Sequence, residues 1–161
     1  IDLAPTFLDL AGLPVPGWMQ GRSIAPLLRG DSPDDWRQTF YYRYYHSPGH
    51  HNTVAHYGVR TKTHKLIYYW DRDAYELFDL KTDPLEQHNL LFSMENASKP
   101  GVKKLFNELK AEITRLQKEY NDDGQYAHPA DWPQGSADGP WNAYKPIGNK
   151  TVAEAMALSG E

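Results

Sequence analysis

Across residues 100–120 the apolar side chains Val102, Leu105, Phe106, Leu109, Ile113 and Leu116 recur every three or four positions, and Lys103, Glu108, Lys110, Glu112, Arg115, Lys118 and Glu119 fill the positions between them. At 3.6 residues per turn this spacing gathers the apolar groups into one stripe along a helix of about five turns. A helix with a single apolar stripe needs a second apolar surface to lie on. Upstream, four segments are rich in aromatic and β-branched residues: 40–45, 55–61, 65–70 and 74–80. They read as strands, and the short polar links between the later ones make neighbours antiparallel. The expected fold is therefore α+β: a four-stranded antiparallel sheet packed by one long C-terminal amphipathic helix, with a short N-terminal helix and an irregular tail.

The flanking regions are read from their punctuation. Asp2 is placed as the N-cap of a helix running to Ala11, with Gly12 to end it, and Leu3, Phe7 and Leu10 would share one face. Residues 13–21 form a connector rich in Pro and Gly, after which Ser23 can cap a short helical turn through Leu28 that stops at Gly30. Arg29-Gly30-Asp31 spells an adhesion tripeptide, and the end of that turn explains it without any receptor. Asn121-Asp122-Asp123-Gly124 ends the long helix; residues 125–161 have no period and are expected to wrap a larger body, anchored by Trp132, Trp141 and Tyr144. Three regions result: 1–35 as helix and connector, 36–120 as sheet plus helix, and 121–161 as tail.

Composition narrows the function classes. A length of 161 residues with 40% apolar content suits one modest core, and a net charge of −4 with scattered Lys and Arg leaves no basic stripe, so no nucleic-acid partner is expected. No apolar run approaches the roughly 18 residues of a membrane span. The absence of Cys excludes disulfides and thiolate metal sites. The sequons Asn96-Ala97-Ser98 and Asn149-Lys150-Thr151 are too short to carry an argument.

The most specific motif follows the fourth strand. Tyr75-Glu76-Leu77-Phe78-Asp79-Leu80 leads into Asp83-Pro84-Leu85-Glu86-Gln87-His88-Asn89-Leu90, which reads as the turn closing a β-hairpin. Pro84 fixes φ, and an acidic side chain is free to accept backbone N–H bonds. This pattern resembles the last hairpin of the type I sulfatases, the formylglycine-dependent branch of the alkaline-phosphatase superfamily. Three further segments fall in that family's order. Asp2-Leu3-Ala4-Pro5-Thr6-Phe7-Leu8-Asp9-Leu10-Ala11-Gly12 resembles the helix after the catalytic core, and Gln20-Gly21-Arg22-Ser23-Ile24-Ala25-Pro26-Leu27-Leu28-Arg29-Gly30 the loop after it. Tyr57-Gly58-Val59-Arg60-Thr61-Lys62-Thr63-His64-Lys65-Leu66-Ile67-Tyr68 is similar to the central Val-Arg-Thr strand and its partner.

The resemblance implies what should be absent as well as what should be present. A sulfatase of this type needs a Cys or Ser in a Cys/Ser-x-Pro-x-Arg context, converted to formylglycine, and a Ca²⁺ held by Asp and Asn of an N-terminal α/β domain. Ser32-Pro33 and Ser47-Pro48 have the wrong spacing, with no Arg two residues beyond either Pro. The chain therefore resembles only the C-terminal portion of a sulfatase, with its true N-terminus expected elsewhere. No catalytic residue, metal ligand or cofactor is expected in this chain; the formylglycine and Ca²⁺ would belong to the missing N-terminal domain, which would be its partner.

Candidate substrate-binding residues are His50, His51, His56 and Arg60. His46, His50, His51 and His56 crowd the connection between the first two strands, where an imidazole can bind sulfate oxygens or sugar hydroxyls. A zinc site is disfavoured, since adjacent His50 and His51 on an extended segment point to opposite sides and no acidic ligand stands at a suitable spacing. Arg60 suits an anionic ester, and equally suits an internal ion pair, the role favoured for it here; by strand alternation it shares a side with His56 and Gly58. The tyrosine run 41–45 can stack on sugar rings, with sheet packing as its default role.

The function implied by the resemblance is hydrolysis of sulfate esters, with a carbohydrate as the sulfated substrate and this portion buttressing the catalytic domain and bordering its pocket. Export of the parent protein to the periplasm or medium is expected. Two other readings stay open from sequence: a stand-alone carbohydrate- or partner-binding module, and part of a phosphonate or phosphodiester hydrolase of the same superfamily.

Overall fold

The computed structural model describes residues 1–45 and 53–124. His46, His50, His51, Trp132, Trp141 and Tyr144 lie outside the described residues. The chain divides into a unit spanning Ile1–Gln38 and a second that begins at Thr39.

In the first unit, helix α1 (Leu3–Leu10) and the single turn α2 (Ala25–Leu28) are joined by irregular chain. Gly12 stops α1 as expected: at φ +69° it takes the left-handed conformation, and Leu13 N–H reaches back to the Leu8 carbonyl at 2.9 Å. Asp2 departs from its expected role. Its side chain makes no capping bond to the helix; one carboxylate oxygen accepts Arg22 N–H at 2.9 Å, and the carboxylate pairs with Arg37. Thr6 does the local work instead, donating to the Asp2 carbonyl at 2.6 Å and accepting Ile24 N–H at 2.9 Å. Asp2 is thus recruited to bind the second half of the unit to the helix start. Ser23 supports α2 through a bond from Ala25 N–H at 3.1 Å and donates to Asp9 at 2.5 Å. Leu3, Phe7 and Leu10 do share the exposed part of α1, each 61–65% exposed, while Pro5 and Thr6 are buried.

The second unit is the expected sheet and helix. Strands β1 (Phe40–Tyr44), β2 (His56–Arg60), β3 (His64–Tyr69) and β4 (Ala74–Asp79) lie in the order β1-β2-β3-β4, every pair antiparallel. The link from β2 to β3 is closed by Thr61, whose hydroxyl accepts the N–H groups of Thr63 at 3.1 Å and His64 at 2.9 Å. One residue from each of β2, β3 and β4, Val59, Leu66 and Leu77, is fully enclosed against α4 (Pro100–Glu119), which contributes Phe106, Leu109, Ile113 and Leu116. Leu91 and Ala97 complete this core. By alternation Tyr42, Tyr44, His56, Gly58, Arg60, Lys65, Ile67, Tyr69 and Glu76 belong to the other face.

Two features differ from the sequence expectation. The Asp-Pro-Leu-Glu turn does not close a hairpin between two strands; it folds the chain back along β4 without forming a fifth strand. Asp83 accepts N–H bonds from Gln87 at 3.0 Å and His88 at 2.8 Å, as expected of its acidic side chain. Asn89 then takes the place of a ladder residue, accepting Leu77 N–H at 3.0 Å, and Leu90 N–H bonds the Leu77 carbonyl at 2.8 Å. A short helix, α3 (Met94–Ala97), was also not foreseen; Ser93 caps it by accepting Asn96 N–H at 3.2 Å.

Candidate functional site

Of the four sequence-derived candidates, His56 and Arg60 lie within the described residues, and His50 and His51 lie outside them. Both described residues are on β2 and on the face away from α4. Four strand residues separate them by about 13 Å, far more than a single sulfate group spans. They can contact one ligand together only if that ligand extends along the strand.

His56 is held by its surroundings. Its Nδ1–H donates to the Val54 carbonyl at 2.7 Å, which leaves Nε2 as an acceptor in the neutral ring and a second donor in the protonated one. Tyr42 meets the imidazole edge-on at 5.8 Å, Tyr44 stacks on it at 5.7 Å, and Tyr69 lies at 5.4 Å. Tyr69 donates to Glu76 at 2.8 Å; burial first, and then that carboxylate, push its phenol well above the ordinary tyrosine range. These rings make an aromatic bed around one imidazole.

Arg60 belongs to a charged node. Its Nη1 donates to Glu86 Oε1 at 3.0 Å, and Lys65 Nζ reaches Glu86 Oε2 at 2.5 Å. Two cations share one carboxylate, and half of the Arg60 side chain remains exposed. The register explains the arrangement. Arg60 stands directly opposite Lys65 across the β2–β3 pair, and like charges in that position repel unless an anion lies between them. Glu86, at φ +57° in the turn after β4, supplies it. Sequence reasoning missed Glu86 and Lys65; the signal was available in the short β2–β3 link, which fixes Arg60 opposite Lys65.

Tyr42 sits between the two clusters. Lys65 Nζ is 6.0 Å from its ring centre, and its hydroxyl is enclosed without a hydrogen-bond partner among the described residues. A side chain at Gly58 would put its Cβ 2.7 Å from that hydroxyl and 2.5 Å from the Leu66 carbonyl, so the approach of Tyr42 to β2 requires glycine. Burial, then Glu86 and Glu76, push the Tyr42 phenol up, which keeps it a neutral donor.

Through Arg60 and Lys65 this face can bind an acceptor-rich ligand. Among the described residues no three His, Asp or Glu side chains gather to hold a metal ion.

A family model described as N-sulphoglucosamine sulphohydrolase, C-terminal, matches residues 1–119. The chain is 42% identical over 125 residues to an N-acetylglucosamine-6-O-sulfatase of Bacteroides thetaiotaomicron, covering 76% of this chain and 21% of that protein. It is 34% identical over 124 residues to a Delta 4,5-hexuronate-2-O-sulfatase of the same organism, covering 74% of this chain and 24% of the relative. Among solved structures, BT4656 in complex with its substrate D-glucosamine-2-N,6-O-disulfate superposes with a TM-score of 0.67 at 41% identity, over 76% of this chain and 24% of that one. The chain thus spans about a fifth to a quarter of the length of the relatives it matches.

Proposed function

We propose, from the premise that this chain belongs to the N-sulphoglucosamine sulphohydrolase C-terminal family, that it is the C-terminal portion of a sulfatase that hydrolyses sulfate esters of carbohydrates. The observation that carries this reading is the family match together with 42% identity to a sulfatase of N-acetylglucosamine. The share of the relatives' length that is matched supports an upstream catalytic domain as the partner of this portion. That domain would hold the formylglycine nucleophile and the Ca²⁺, which supplies charge stabilisation at the sulfate. The contribution of this chain would be shape and binding. The aromatic bed around His56 would lie against a sugar ring, and the charged node at Arg60 and Lys65 would favour an anionic group further along the strand. A sulfated glucosamine is the first substrate to test, since one relative is named an N-acetylglucosamine-6-O-sulfatase and one similar structure holds D-glucosamine-2-N,6-O-disulfate as its substrate. Export of the whole protein fits a carbohydrate met outside the cell.

The test is the coding sequence upstream of Ile1. A Cys or Ser in a Cys/Ser-x-Pro-x-Arg context, with Asp and Asn candidates for Ca²⁺, is expected there. A coding region that contains only this portion, with no such motif, would overturn the proposal and leave a stand-alone binding module.

A further inference from the structure

Glu86 holds a backbone conformation that its own side chain disfavours. At φ +57° it lies in the left-handed region, which suits glycine and costs a residue with a Cβ. The shape of the turn does not come from the Glu86 carboxylate. Asp83 closes the loop by itself, its carbonyl accepting Glu86 N–H at 3.1 Å and its carboxylate accepting Gln87 N–H at 3.0 Å and His88 N–H at 2.8 Å. What position 86 adds is one carboxylate, delivered to the face of the sheet away from α4. Its two oxygens take one cation each, Arg60 Nη1 at 3.0 Å and Lys65 Nζ at 2.5 Å. A ligand carboxylate bound by an arginine and a lysine would make the same pair of bonds.

The seat between the two cations does not depend on Glu86. Arg60 and Lys65 are set opposite each other by the β2–β3 register, and Lys65 has a second hold, its Nζ 6.0 Å from the centre of the Tyr42 ring. Glu86 is also free to leave. Leu85 before it and His88 after it are exposed, and its own side chain is 24% exposed. Rotation of that side chain takes the carboxylate into water while the Asp83 bonds keep the turn closed. We propose that Arg60 and Lys65 form a carboxylate seat for a sugar acid, and that Glu86 fills it as a tethered stand-in which the ligand carboxylate displaces. The choice of a sugar acid rests on the reading of this face as a carbohydrate surface; the seat rests on the three side chains. Glu86 thereby sets a threshold, because an acidic ligand restores both ion pairs and a neutral one restores neither. Apparent affinity is reduced by the fraction of chains whose seat is open, and two partly exposed ion pairs make that reduction about 5- to 10-fold.

The experiment titrates the whole 161-residue chain, labelled with ¹³C and ¹⁵N, with glucuronate and follows the amide signals of Arg60 and Lys65. Glu86→Gln keeps the side-chain shape and removes the charge. It should tighten glucuronate binding by about 5- to 10-fold and leave N-acetylglucosamine binding unchanged, and adding Arg60→Gln should abolish the gain. In the wild-type chain, saturating glucuronate should carry the Glu86 carboxyl ¹³C signal to the position of the exposed Glu95, a reading independent of how the variant folds. Glucuronate bound no tighter by Glu86→Gln than by wild type, with the Leu66 and Leu77 methyl signals in place, would overturn the proposal. So would a Glu86 carboxyl signal that stays where it is at saturation, or no glucuronate binding by either chain. An equal gain for inorganic sulfate would overturn the carboxylate assignment and leave a general anion patch. None of these outcomes bears on the sulfatase reading, which the coding sequence upstream of Ile1 tests separately.

Discussion

His56 and Arg60 occupy one face of one strand yet sit in different chemistry: an imidazole packed among tyrosines, and a guanidinium half spent on Glu86. In the parent enzyme His56→Ala is expected to lower kcat/KM for a sulfated sugar by about 10- to 100-fold, roughly 1.4–2.7 kcal/mol, with little change in Tm; wild-type kinetics would remove His56 from the site. The same kinetic measurement on His51→Ala tests the neighbouring connection. Glu86→Ala should act differently. It leaves Arg60 facing Lys65 without a shared anion, so thermal unfolding should show a loss of about 1 kcal/mol, modest because the pair is partly exposed. The presence of Arg60 and His56 on one face was legible from strand alternation alone. The node was not, because Glu86 arrives from a turn 26 residues away and only the tertiary path brings it there.

At the scale of elements, α4 was the most legible part of the chain. Its stripe continues for five turns, and the residues predicted to face the sheet at its centre, Leu109 and Ile113, are buried there. Truncating either to Ala should cost about 2–5 kcal/mol in denaturant unfolding, as a cavity replaces atoms packed on Val59, Leu66 and Leu77. The strands were legible because short links and aromatic runs agree; α3 was not, since four residues give no period to read. The end of α4 carries a pH dependence of its own. Burial raises the Asp122 carboxyl, but the bonds from Arg43 and Tyr41 outweigh it, so the folded protein holds this group below the usual carboxylate value. A depressed folded pKa contributes stability above the unfolded value, and that contribution is lost as pH falls below about 4 through the folded pKa. Asp122→Asn should therefore destabilise near neutral pH by about 3–5 kcal/mol, because it leaves a buried Arg43 uncompensated. Its deficit relative to wild type should shrink in acid.

On the scale of the whole molecule, the exposed Leu3, Phe7 and Leu10 of α1 are an apolar face that this chain leaves uncovered among its described residues. Isolated, the chain should self-associate, and Phe7→Asp should shift its sedimentation toward monomer. The resemblance made the family legible through four ordered motifs, because those turns and strands carry fixed local chemistry; the substrate was not legible, because His and Arg side chains on a strand face suit many acceptor-bearing ligands alike. The most direct test of the account is release of sulfate from a 6-O-sulfated glucosamine. The parent protein with its upstream domain should turn it over, and the purified 161-residue chain should show none above background, with or without Ca²⁺. Turnover by the isolated chain, lost on His56→Ala, would contradict the account.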